Sequence, residues 1–311
     1  MEILDLRQLR AHDLEPLLQE ETRVWREQLR WDYRNSADLI RRFVDARSLP
    51  GYVALDDGRT VGYSFFVYED YKGLIGNLFV SRPYCGATEG RLLTHVIETM
   101  QGTPGIRRIE AQLMTFWPGA LEPVFRQEQF EAYSRLFMLL ELASAPPLPA
   151  RDAAPIQFLP WDERYSDAAA ELIVRAYHHH VDSQVNDQYC SQVGALRFLH
   201  NIIHYPGCGS FHRAGSSLAF QGQAGGLCGL VLTSVVGPGV GHVTQVCVTP
   251  EFQGTGVGYE LMRRGIESFR ESGFTSVSLT VTAANRHAVR LYERMGFGTL
   301  KEFSAFVWNR L

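Results

Sequence analysis

Apolar residues recur along this chain with two different periods, and their alternation predicts a mixed α/β fold. In the second half, Ala169, Leu172, Ile173 and Ala176 follow the i, i+3, i+4, i+7 spacing of one helix face. Short β-branched runs between turn residues predict strands instead. These patterns predict strands at 156–159, 217–221, 226–235, 241–248, 276–282 and 302–309, and helices at 162–180, 192–204, 256–271 and 285–294. This order predicts a central mixed sheet with one strand-helix-strand crossover, flanked by helices.

The first half repeats this order of elements with different residues. Its patterns predict strands at 2–6, 51–55, 60–68, 73–80, 107–114 and 132–142, helices at 13–29, 36–46 and 89–101, and an amphipathic segment at 119–129. A similar order in both halves predicts two duplicated domains rather than one large domain.

A proline-rich stretch separates the two halves. Four prolines fall within residues 146–155, which excludes a helix interior and favours an extended spacer. We therefore expect a first domain at 1–143, a linker at 144–155 and a second domain at 156–311. A chain of 311 residues is long enough for two such domains, each with its own core.

Composition and charge narrow the classes of partner. A net charge of −4 without runs of like charge predicts neither a nucleic-acid surface nor attraction to anionic lipid. No apolar run approaches the roughly 18 residues of a membrane-spanning helix, and the first residues lack a signal-peptide pattern, so we expect a cytoplasmic protein. The odd number and wide spacing of the cysteines argue against a disulfide framework and a structural zinc site. They are Cys85, Cys190, Cys208, Cys228 and Cys247.

The most informative run follows the strand that Pro250 ends. Gly254, Gly256 and Gly258 then allow the backbone to approach a ligand closely. The helix predicted at 256–271 begins inside this loop. Its unpaired N–H groups and positive dipole end therefore favour a phosphate or pyrophosphate.

Two other kinds of glycine-rich loop fit this run less well. A P-loop ends in Gly-Lys-Ser/Thr, whereas Gly258 is followed by Tyr259. A dinucleotide-binding fold needs G-x-G-x-x-G and an acidic residue at the end of the next strand, whereas that strand ends at Thr282. A further alternative remains, in which the glycines serve only the packing of the helix start and bind no ligand.

The helix predicted at 285–294 offers a second surface for a ligand. Asn285, Ala288 or Val289, and Tyr292 share one face of that helix. A small residue between an amide and a phenol leaves room for a thin ligand along this face.

The loop and this helix together resemble the two signature motifs of the GNAT N-acetyltransferase superfamily. The motifs read Gln253-x-x-Gly256-x-Gly258 and Asn285-x-x-Ala288-x-x-Leu291-Tyr292-Glu293-x-x-Gly296-Phe297. The resemblance covers about 156–311 and implies acetyl-CoA as cosubstrate, bound where two adjacent parallel strands splay apart. With the degenerate first copy, it implies two tandem GNAT-like domains.

The resemblance also implies roles for individual residues. The strand backbone of Val246, Cys247 and Val248 would pair with the pantetheine arm as an added strand. The pyrophosphate would lie on the loop formed by Gln253, Gly254, Thr255, Gly256, Val257 and Gly258. A backbone N–H near Val248 would polarise the thioester carbonyl, and Tyr292 would protonate the departing thiolate. Asn285 would position a backbone or pantetheine group.

The general base is less well defined. The family often uses a glutamate on the strand before the anion loop, but here that strand offers His242, Thr244 and Gln245 and no carboxylate. His242 would titrate near neutral pH and is our candidate base. Cys247 lies in the same apolar strand, where a cysteine is usually a small hydrophobe rather than a nucleophile.

Three consecutive histidines, His178, His179 and His180, lie near the end of the first helix of the second half. Consecutive helical residues point about 100° apart, so the three cannot bind one metal ion, and His178 with Asp182 supplies only two ligands. A polar helix end is one alternative, but in the resembling family this region borders the acceptor pocket. We therefore take His178 and Gln245 as candidate acceptor-binding residues and expect no metal site.

The corresponding run of the first half departs from the motif. Tyr84 or Cys85 replaces the glutamine, Thr88 replaces a glycine, and Glu89 puts a carboxylate at the helix start. That carboxylate would occupy or repel the pyrophosphate position. We expect the first domain not to bind CoA and to serve structure, acceptor-pocket walls or dimer contacts.

The leading hypothesis is an N-acetyltransferase that moves an acetyl group from acetyl-CoA directly to the amine of a small molecule or a peptide N-terminus. A narrower version is an enzyme similar to mycothiol synthase. A different class, a non-catalytic acyl-CoA sensor, stays open because the strand lacks a carboxylate. We expect acetyl-CoA and a small amine as partners of a monomer or homodimer, without nucleic acid or membrane.

Overall fold

The computed structural model describes residues 1–150, 155–205, 207–222 and 225–310. The chain packs into two units. We call them the first unit (Met1–Arg135 with Lys301–Leu311) and the second unit (Leu136–Leu300). Residues 151–154 of the predicted linker lie outside the described residues.

The first unit contains a mixed sheet with helices. Its strands are β1 (Glu2–Asp5), β2 (Gly51–Asp56), β3 (Arg59–Glu69), β4 (Lys72–Val80), β5 (Arg108–Gln112) and the start of β6 (Glu131–Glu141). Its helices are α1 (Ala11–Leu29), α2 (Arg34–Asp45), α3 (Ala87–Gly102) and α4 (Glu122–Gln127). The strand order is β1-β2-β3-β4-β5, with β4 and β5 parallel and the other pairs antiparallel.

The second unit repeats this topology. Its strands are β7 (Ile156–Pro160), β8 (Ser210–Phe211), β9 (Ser217–Gln221), β10 (Leu227–Gly237), β11 (Val240–Val248) and β12 (Ser276–Thr282). Its helices are α5 (Ser166–Tyr177), α6 (Val181–Val185), α7 (Gln192–His204), α8 (Val257–Glu271) and α9 (Arg286–Arg294). In the order β7-β9-β10-β11-β12 only the last pair is parallel. The predicted tandem α/β fold is therefore confirmed.

In each unit, the strand beside the last one of this order comes from the other half of the chain. Residues 305–309 of β13 (Gly298–Asn309) pair antiparallel with β5. Residues 136–141 of β6 belong to the second unit, where β6 neighbours β12. The packing units therefore differ in membership from the halves 1–143 and 156–311, because strand pairing rather than chain order decides where a strand belongs.

The described part of the predicted linker packs against α8. The hydroxyl of Tyr259 donates to the carbonyl of Pro149 at 2.9 Å. Nη1 of Arg270 donates to the carbonyl of Leu142 at 2.7 Å, just before the linker. These two contacts fix the chain along the length of the helix.

Helices cover both faces of the second unit's sheet. On one face, α8 and α9 enclose a core that includes Leu261 and Leu279. On the other face, α5 and α7 enclose a core that includes Ile173 and Leu199. Consecutive residues of a strand point to opposite faces, so β10 and β11 contribute side chains to both cores.

A β-bulge at Thr244 reverses the alternation of β11. The pairing of β11 with β10 passes from Val243 to Gln245 and leaves Thr244 without a partner strand residue. Val243 and Cys247 are four residues apart and would share a face in a regular strand. Because of the extra residue, Val243 lies in the α8 core and Cys247 in the α5 core.

The same bulge marks the point where β11 leaves β12. Parallel pairing ends at Val243 and Leu279, although the strands continue to Val248 and Thr282. The carboxyl ends of the two strands therefore splay apart, as the sequence predicts. We call the space between them the wedge of the second unit.

The first unit has a bulge and a wedge at the matching positions. The pairing of β4 with β3 skips Gly76, and the parallel pairing of β4 with β5 ends at Ile75 and Ala111. The duplication therefore extends to the local distortion that opens the sheet.

One predicted helix proves to be two. The segment predicted as a helix at 162–180 ends at Tyr177 and restarts at Val181. His178 leaves the helical region with ψ 120°, and His179 is left-handed with φ 61°. The prediction was wrong at this point because no glycine or proline signals the break.

Candidate functional site

Side chains rather than a strand neighbour contact the open edge of β11. The hydroxyl of Tyr177 donates to the carbonyl of Val246 at 3.3 Å, and Nε2 of Gln253 donates to the carbonyl of Val248 at 3.3 Å. A carbonyl has two lone pairs, so both oxygens can accept a further bond. This edge can therefore pair with an extended ligand in the manner of an added strand.

The loop after β11 enters α8 through two left-handed glycines. Gly254 has φ 77° and Gly256 has φ 95°, a region that strains residues with a side chain. A Cβ at either position would meet no atom within 4 Å, so the space beside the loop is open. Gly256 is the N-cap of α8, and no side chain caps the helix. The first-turn N–H groups therefore point to a position that fits a pyrophosphate.

The other predicted loop residues hold this conformation. Thr255 Oγ1 donates to the carbonyl of Phe252 at 2.6 Å. Val257 is buried in the α8 core, and Gly258 lies beside the side chain of Val248. The residues expected to bind pyrophosphate thus form one continuous turn around the open space.

The two predicted residues of α9 have different environments. Oδ1 of Asn285 accepts from the backbone N–H of Ala288 at 3.2 Å and caps the helix. Tyr292 is 7% exposed, and its hydroxyl has no hydrogen-bond partner among the described residues. Burial, followed by the negative charge of Asp182, raises the pKa of Tyr292 above its usual range. The phenol is therefore protonated near neutral pH, as a general acid must be.

Two other predicted residues of β11 are buried. His242 is 6% exposed and lies where β11 and β12 are still paired, with Nδ1 2.9 Å from Oγ of Ser278. Burial lowers the pKa of His242 to about 3, which makes the imidazole a weak base. Burial also raises the pKa of Cys247, so its thiol is protonated. The role of His242 as a base stays a prediction.

Gln245 lies in a buried chain of hydrogen bonds. Its Nε2 donates to the hydroxyl of Tyr177 at 3.0 Å, and its Oε1 accepts from the hydroxyl of Tyr189 at 3.4 Å. The rings of the two tyrosines stack with centroids 4.4 Å apart. This chain connects the wedge with a neighbouring cavity and includes two tyrosines that the sequence analysis missed.

The cavity beside the wedge has a volume of about 290 Å³. Tyr177, Tyr189 and the three consecutive histidines line it. The histidines are not helical, since the chain leaves α5 at His178; the rings of His178 and His179 lie 3.9 Å apart, and His180 caps α6. His178 therefore lines this cavity, and its role as an acceptor contact stays a prediction.

Asp182 lies at the mouth of the wedge. Its carboxylate accepts a hydrogen bond from Thr282, the last residue of β12, and lies 3.3 Å from Nδ1 of His180. The sequence analysis considered Asp182 only as a metal ligand. No local pattern could identify this position, because the contact with Thr282 joins residues 100 apart in the chain.

In the first unit, a side chain occupies the start of the corresponding helix. Oε2 of Glu89 accepts from the backbone N–H of Gly86 at 2.6 Å at the start of α3. This carboxylate satisfies a backbone donor at the start of α3, whereas no side chain caps the start of α8.

Side chains also fill the wedge of the first unit. The buried carboxyl of Glu21 accepts from the hydroxyl of Tyr63 and from the amide of Asn77. Asn77 follows the bulge at Gly76 as Gln245 follows the bulge of β11. Burial raises the pKa of Glu21 to about 7.

Neither a metal-binding cluster nor a membrane-spanning helix occurs among the described residues. No group of three His, Cys, Asp or Glu side chains there could hold a metal ion. No helix there is long and apolar enough to cross a membrane.

The segment that contains this site matches a known family. Residues 174–297 match the model of the acetyltransferase (GNAT) family. They include the wedge, the glycine loop, α8 and α9. A mycothiol acetyltransferase of Nocardiopsis dassonvillei is 29% identical over 281 residues, which covers 83% of this chain and 81% of that protein.

Solved structures share the fold over nearly the whole chain. A GCN5-related N-acetyltransferase from Sphaerobacter thermophilus has a TM-score of 0.66 at 16% identity, covering 99% of this chain and 95% of that one. A tandem GNAT protein from the clavulanic acid biosynthesis pathway has a TM-score of 0.61 at 16% identity, covering 99% and 98%. At this identity the likeness concerns the fold alone.

Proposed function

We propose, from the match of residues 174–297 to the GNAT acetyltransferase family, that the second unit transfers an acetyl group from acetyl-CoA to the amine of a small acceptor. The observation that carries the proposal is the coincidence of splayed parallel strands with an uncapped helix start behind Gly254 and Gly256. The pantetheine arm would pair with Val246 and Val248, and the pyrophosphate would lie on the loop 253–258.

The residues of this chain would supply a proton and a hydrogen bond to the reaction. Acetyl-CoA supplies the acetyl group as a thioester, which an amine can attack directly. Tyr292 would give a proton to the departing sulfur, and the backbone N–H near Val248 would stabilise negative charge on the carbonyl oxygen. Asn285 would hold the start of α9 against the ligand.

The cavity supports a small acceptor. Its volume of about 290 Å³ is at the lower end of ligand sites in proteins. His178 and Gln245 border this region and are proposed acceptor contacts. The similarity to a mycothiol acetyltransferase over most of both chains favours a narrower candidate, in which this chain is itself a mycothiol acetyltransferase.

We propose further that the first unit does not bind CoA. Glu89 supplies a carboxylate where the pyrophosphate would lie, and Glu21 with Asn77 fills the wedge. One molecule of acetyl-CoA should therefore bind per chain.

Calorimetry with acetyl-CoA, combined with an assay of CoA release, tests these proposals. The panel of acceptors should include the acceptor of the mycothiol acetyltransferases, simple primary amines and short peptides. We expect one acetyl-CoA per chain and turnover on at least one small amine. Absence of acetyl-CoA binding would refute the proposal, and two bound molecules would refute the statement about the first unit. Binding without turnover on any amine would favour the acyl-CoA sensor.

A further inference from the structure

The chain between α5 and α6 crosses the wedge from one strand to the other. At its start, the hydroxyl of Tyr177 donates to the carbonyl of Val246 on β11 at 3.3 Å. At its end, the carboxylate of Asp182 accepts a hydrogen bond from the hydroxyl of Thr282, the last residue of β12. Residues 177–182 therefore connect the two strands that splay apart, and they put a carboxylate beside the end of β12.

The break after α5 is what brings Asp182 to this position. The chain leaves the helix at His178 with ψ 120°, and His179 has φ 61°. The helix α6 then begins, and Nδ1 of His180 accepts the backbone N–H of Asp182 at 3.2 Å. In a continuous helix, Asp182 would instead lie about 7.5 Å beyond Tyr177 along the axis of α5. The break therefore directs the first turn of α6 towards β12.

Asp182 brings negative charge to a wedge whose central strand carries no carboxylate. Residues 240–248 contain no Asp or Glu. The Asp182 side chain is 14% exposed, so water screens its charge only in part. Burial raises the pKa of Tyr177 and of Tyr292, and the charge of Asp182 adds to both rises. The carboxylate thus acts on the phenol that contacts β11 and on the predicted general acid.

A primary ammonium group fits a carboxylate in this position. The bond from Thr282 occupies one of about four lone-pair positions of the Asp182 carboxylate. An ammonium group has a full positive charge and three N–H donors, and its hydrogen bonds to a carboxylate are stronger than those of a neutral donor. An alkyl amine such as that of lysine has a pKa of about 10.4, so it reaches the protein as the ammonium ion near neutral pH.

We propose that Asp182 binds the ammonium group of the acceptor and thereby selects cationic amines that carry no carboxylate beside the nitrogen. This inference rests on the proposed function, since it concerns the acceptor of the same reaction. Attack on the thioester needs the neutral amine, so the ion pair belongs to the complex that precedes loss of the proton. An acceptor with a carboxylate next to its amine would be repelled by Asp182.

Calorimetry on the complex of the chain with CoA measures acceptor binding without turnover. The two probes are the fastest amine of the panel and its analogue with a hydroxyl in place of the amine, both near neutral pH. Wild type should bind the amine at least about 30-fold more tightly than the hydroxyl analogue. In Asp182→Asn, we expect the amine to bind about 30-fold more weakly, while the affinity for the hydroxyl analogue changes less than about threefold.

The selectivity of this loss separates recognition from structure. Asparagine has nearly the shape of aspartate and can still accept the hydrogen bond from Thr282. A purely structural role of Asp182 would therefore weaken both probes alike. Asp182→Glu keeps the charge and should retain a preference of about fivefold or more for the amine.

Asp167→Asn is the matched control. Asp167 is an exposed aspartate in the first turn of α5, about 15 Å from Tyr177 along the helix axis. The same change of charge there should leave the affinity for both probes at the wild-type value. The affinity for CoA should stay within about threefold in all three variants, which also shows that each variant is folded.

A third probe tests the exclusion of carboxylates. It is a derivative of the same amine with a carboxylate on the carbon that carries the nitrogen. Wild type should bind this derivative at least about tenfold more weakly than the parent amine, and Asp182→Asn should reduce the difference to about threefold or less.

Three results would overturn the inference. They are a wild-type chain with no preference for the amine over the hydroxyl analogue, an Asp182→Asn variant that keeps the wild-type preference, and an equal loss of affinity for both probes in that variant. A wild-type chain that binds no acetyl-CoA, or acetylates no amine, would instead refute the proposed function.

Discussion

Among single residues, Tyr292 and Asn285 mark the two ends of the face of α9 that we propose to contact acetyl-CoA. Asn285 uses its side chain to cap the helix, whereas the Tyr292 hydroxyl lies unpaired among the described residues. Tyr292→Phe removes only that hydroxyl. We expect kcat to fall by roughly 10²-fold or more while the affinity for acetyl-CoA changes less than about threefold. Steady-state kinetics and calorimetry on the same preparation measure both.

Tyr165→Phe is the control for that experiment. Tyr165 packs against Phe220, with ring centroids 5.2 Å apart, on the α5 side of the sheet. It should keep the wild-type kcat. A Tyr292→Phe enzyme with unchanged kcat, or one that loses acetyl-CoA binding instead, would contradict the role of general acid.

Glu21 should make the stability of the first unit depend on pH. Burial raises its pKa from 4.5 to about 7, so the folded state favours the protonated acid. Stability from this group is therefore fully present below pH 4.5 and is lost as the pH rises through about 7. Glu21→Gln cannot ionise, and we expect it to be more stable than wild type at pH 8 by roughly 3 kcal/mol at most. At pH 5 this advantage should be small.

Urea unfolding followed by tryptophan fluorescence, to which Trp25 beside Glu21 contributes, measures the difference at each pH. Glu27→Gln is the matched control, since the Glu27 side chain is 62% exposed. Parallel stability curves for wild type and Glu21→Gln between pH 5 and pH 8 would show that the buried carboxyl does not titrate as inferred.

Among elements, the start of α8 is the most sensitive to one substitution. Gly256→Glu introduces backbone strain, because residue 256 has φ 95°. It also puts a carboxylate at the helix N-terminus, where Glu89 has one in the first unit. We expect the affinity for acetyl-CoA and for free CoA to fall by about 30-fold or more. Gly273→Glu, at φ 75° beyond the other end of α8, carries the same charge and a similar strain and should bind normally. Equal affinities for the two variants would exclude the anion loop.

The sequence predicted the elements around this loop almost to the residue. The helices expected at 256–271 and 285–294 are α8 and α9, because glycine and asparagine caps define their starts. The helix expected at 162–180 fails at His178 and His179, where the chain adopts a left-handed residue without glycine. Local patterns cannot predict a break that tertiary contacts impose.

In the candidate site, too, only the features that depend on local sequence could be predicted. Gly254 and Gly256 stand out because backbone freedom and spacing are readable along the chain. Tyr177 and Asp182 do not, because their roles depend on contacts with Val246 and with Thr282 about 70 and 100 residues away. Burial, which lowers the pKa of His242, is likewise a property of the folded sheet.

At the scale of the whole chain, the sequence shows the duplication through the order of its predicted elements. It does not show that each half supplies a strand to the unit of the other half. The sequence predicts β6 and β13 as the last strands of their own halves. Phe306 of β13 is buried in the first unit, where its ring stacks on that of Phe125 with centroids 3.9 Å apart. Met138 and Leu140 of β6 are buried in the α8 core of the second unit. Which sheet a strand joins is decided by long-range pairing, so the sequence alone does not show which packing unit a strand joins, and the division at 144–155 stays a prediction.

The limits of the second unit can be tested with two fragments. Fragment 136–300 keeps β6 beside β12, whereas fragment 156–311 removes β6, including the buried Met138 and Leu140. Loss of two fully buried side chains and of a strand neighbour should cost about 4 kcal/mol or more. We expect 136–300 to fold and to bind acetyl-CoA within about fivefold of the full chain, and 156–311 to remain unfolded or to aggregate. Circular dichroism and calorimetry distinguish the two, with Gly256→Glu in fragment 136–300 as the control for specific binding. If 156–311 folds and binds as well as 136–300, β6 is not an integral strand of the acetyl-CoA-binding unit, and the division at the linker describes that unit better.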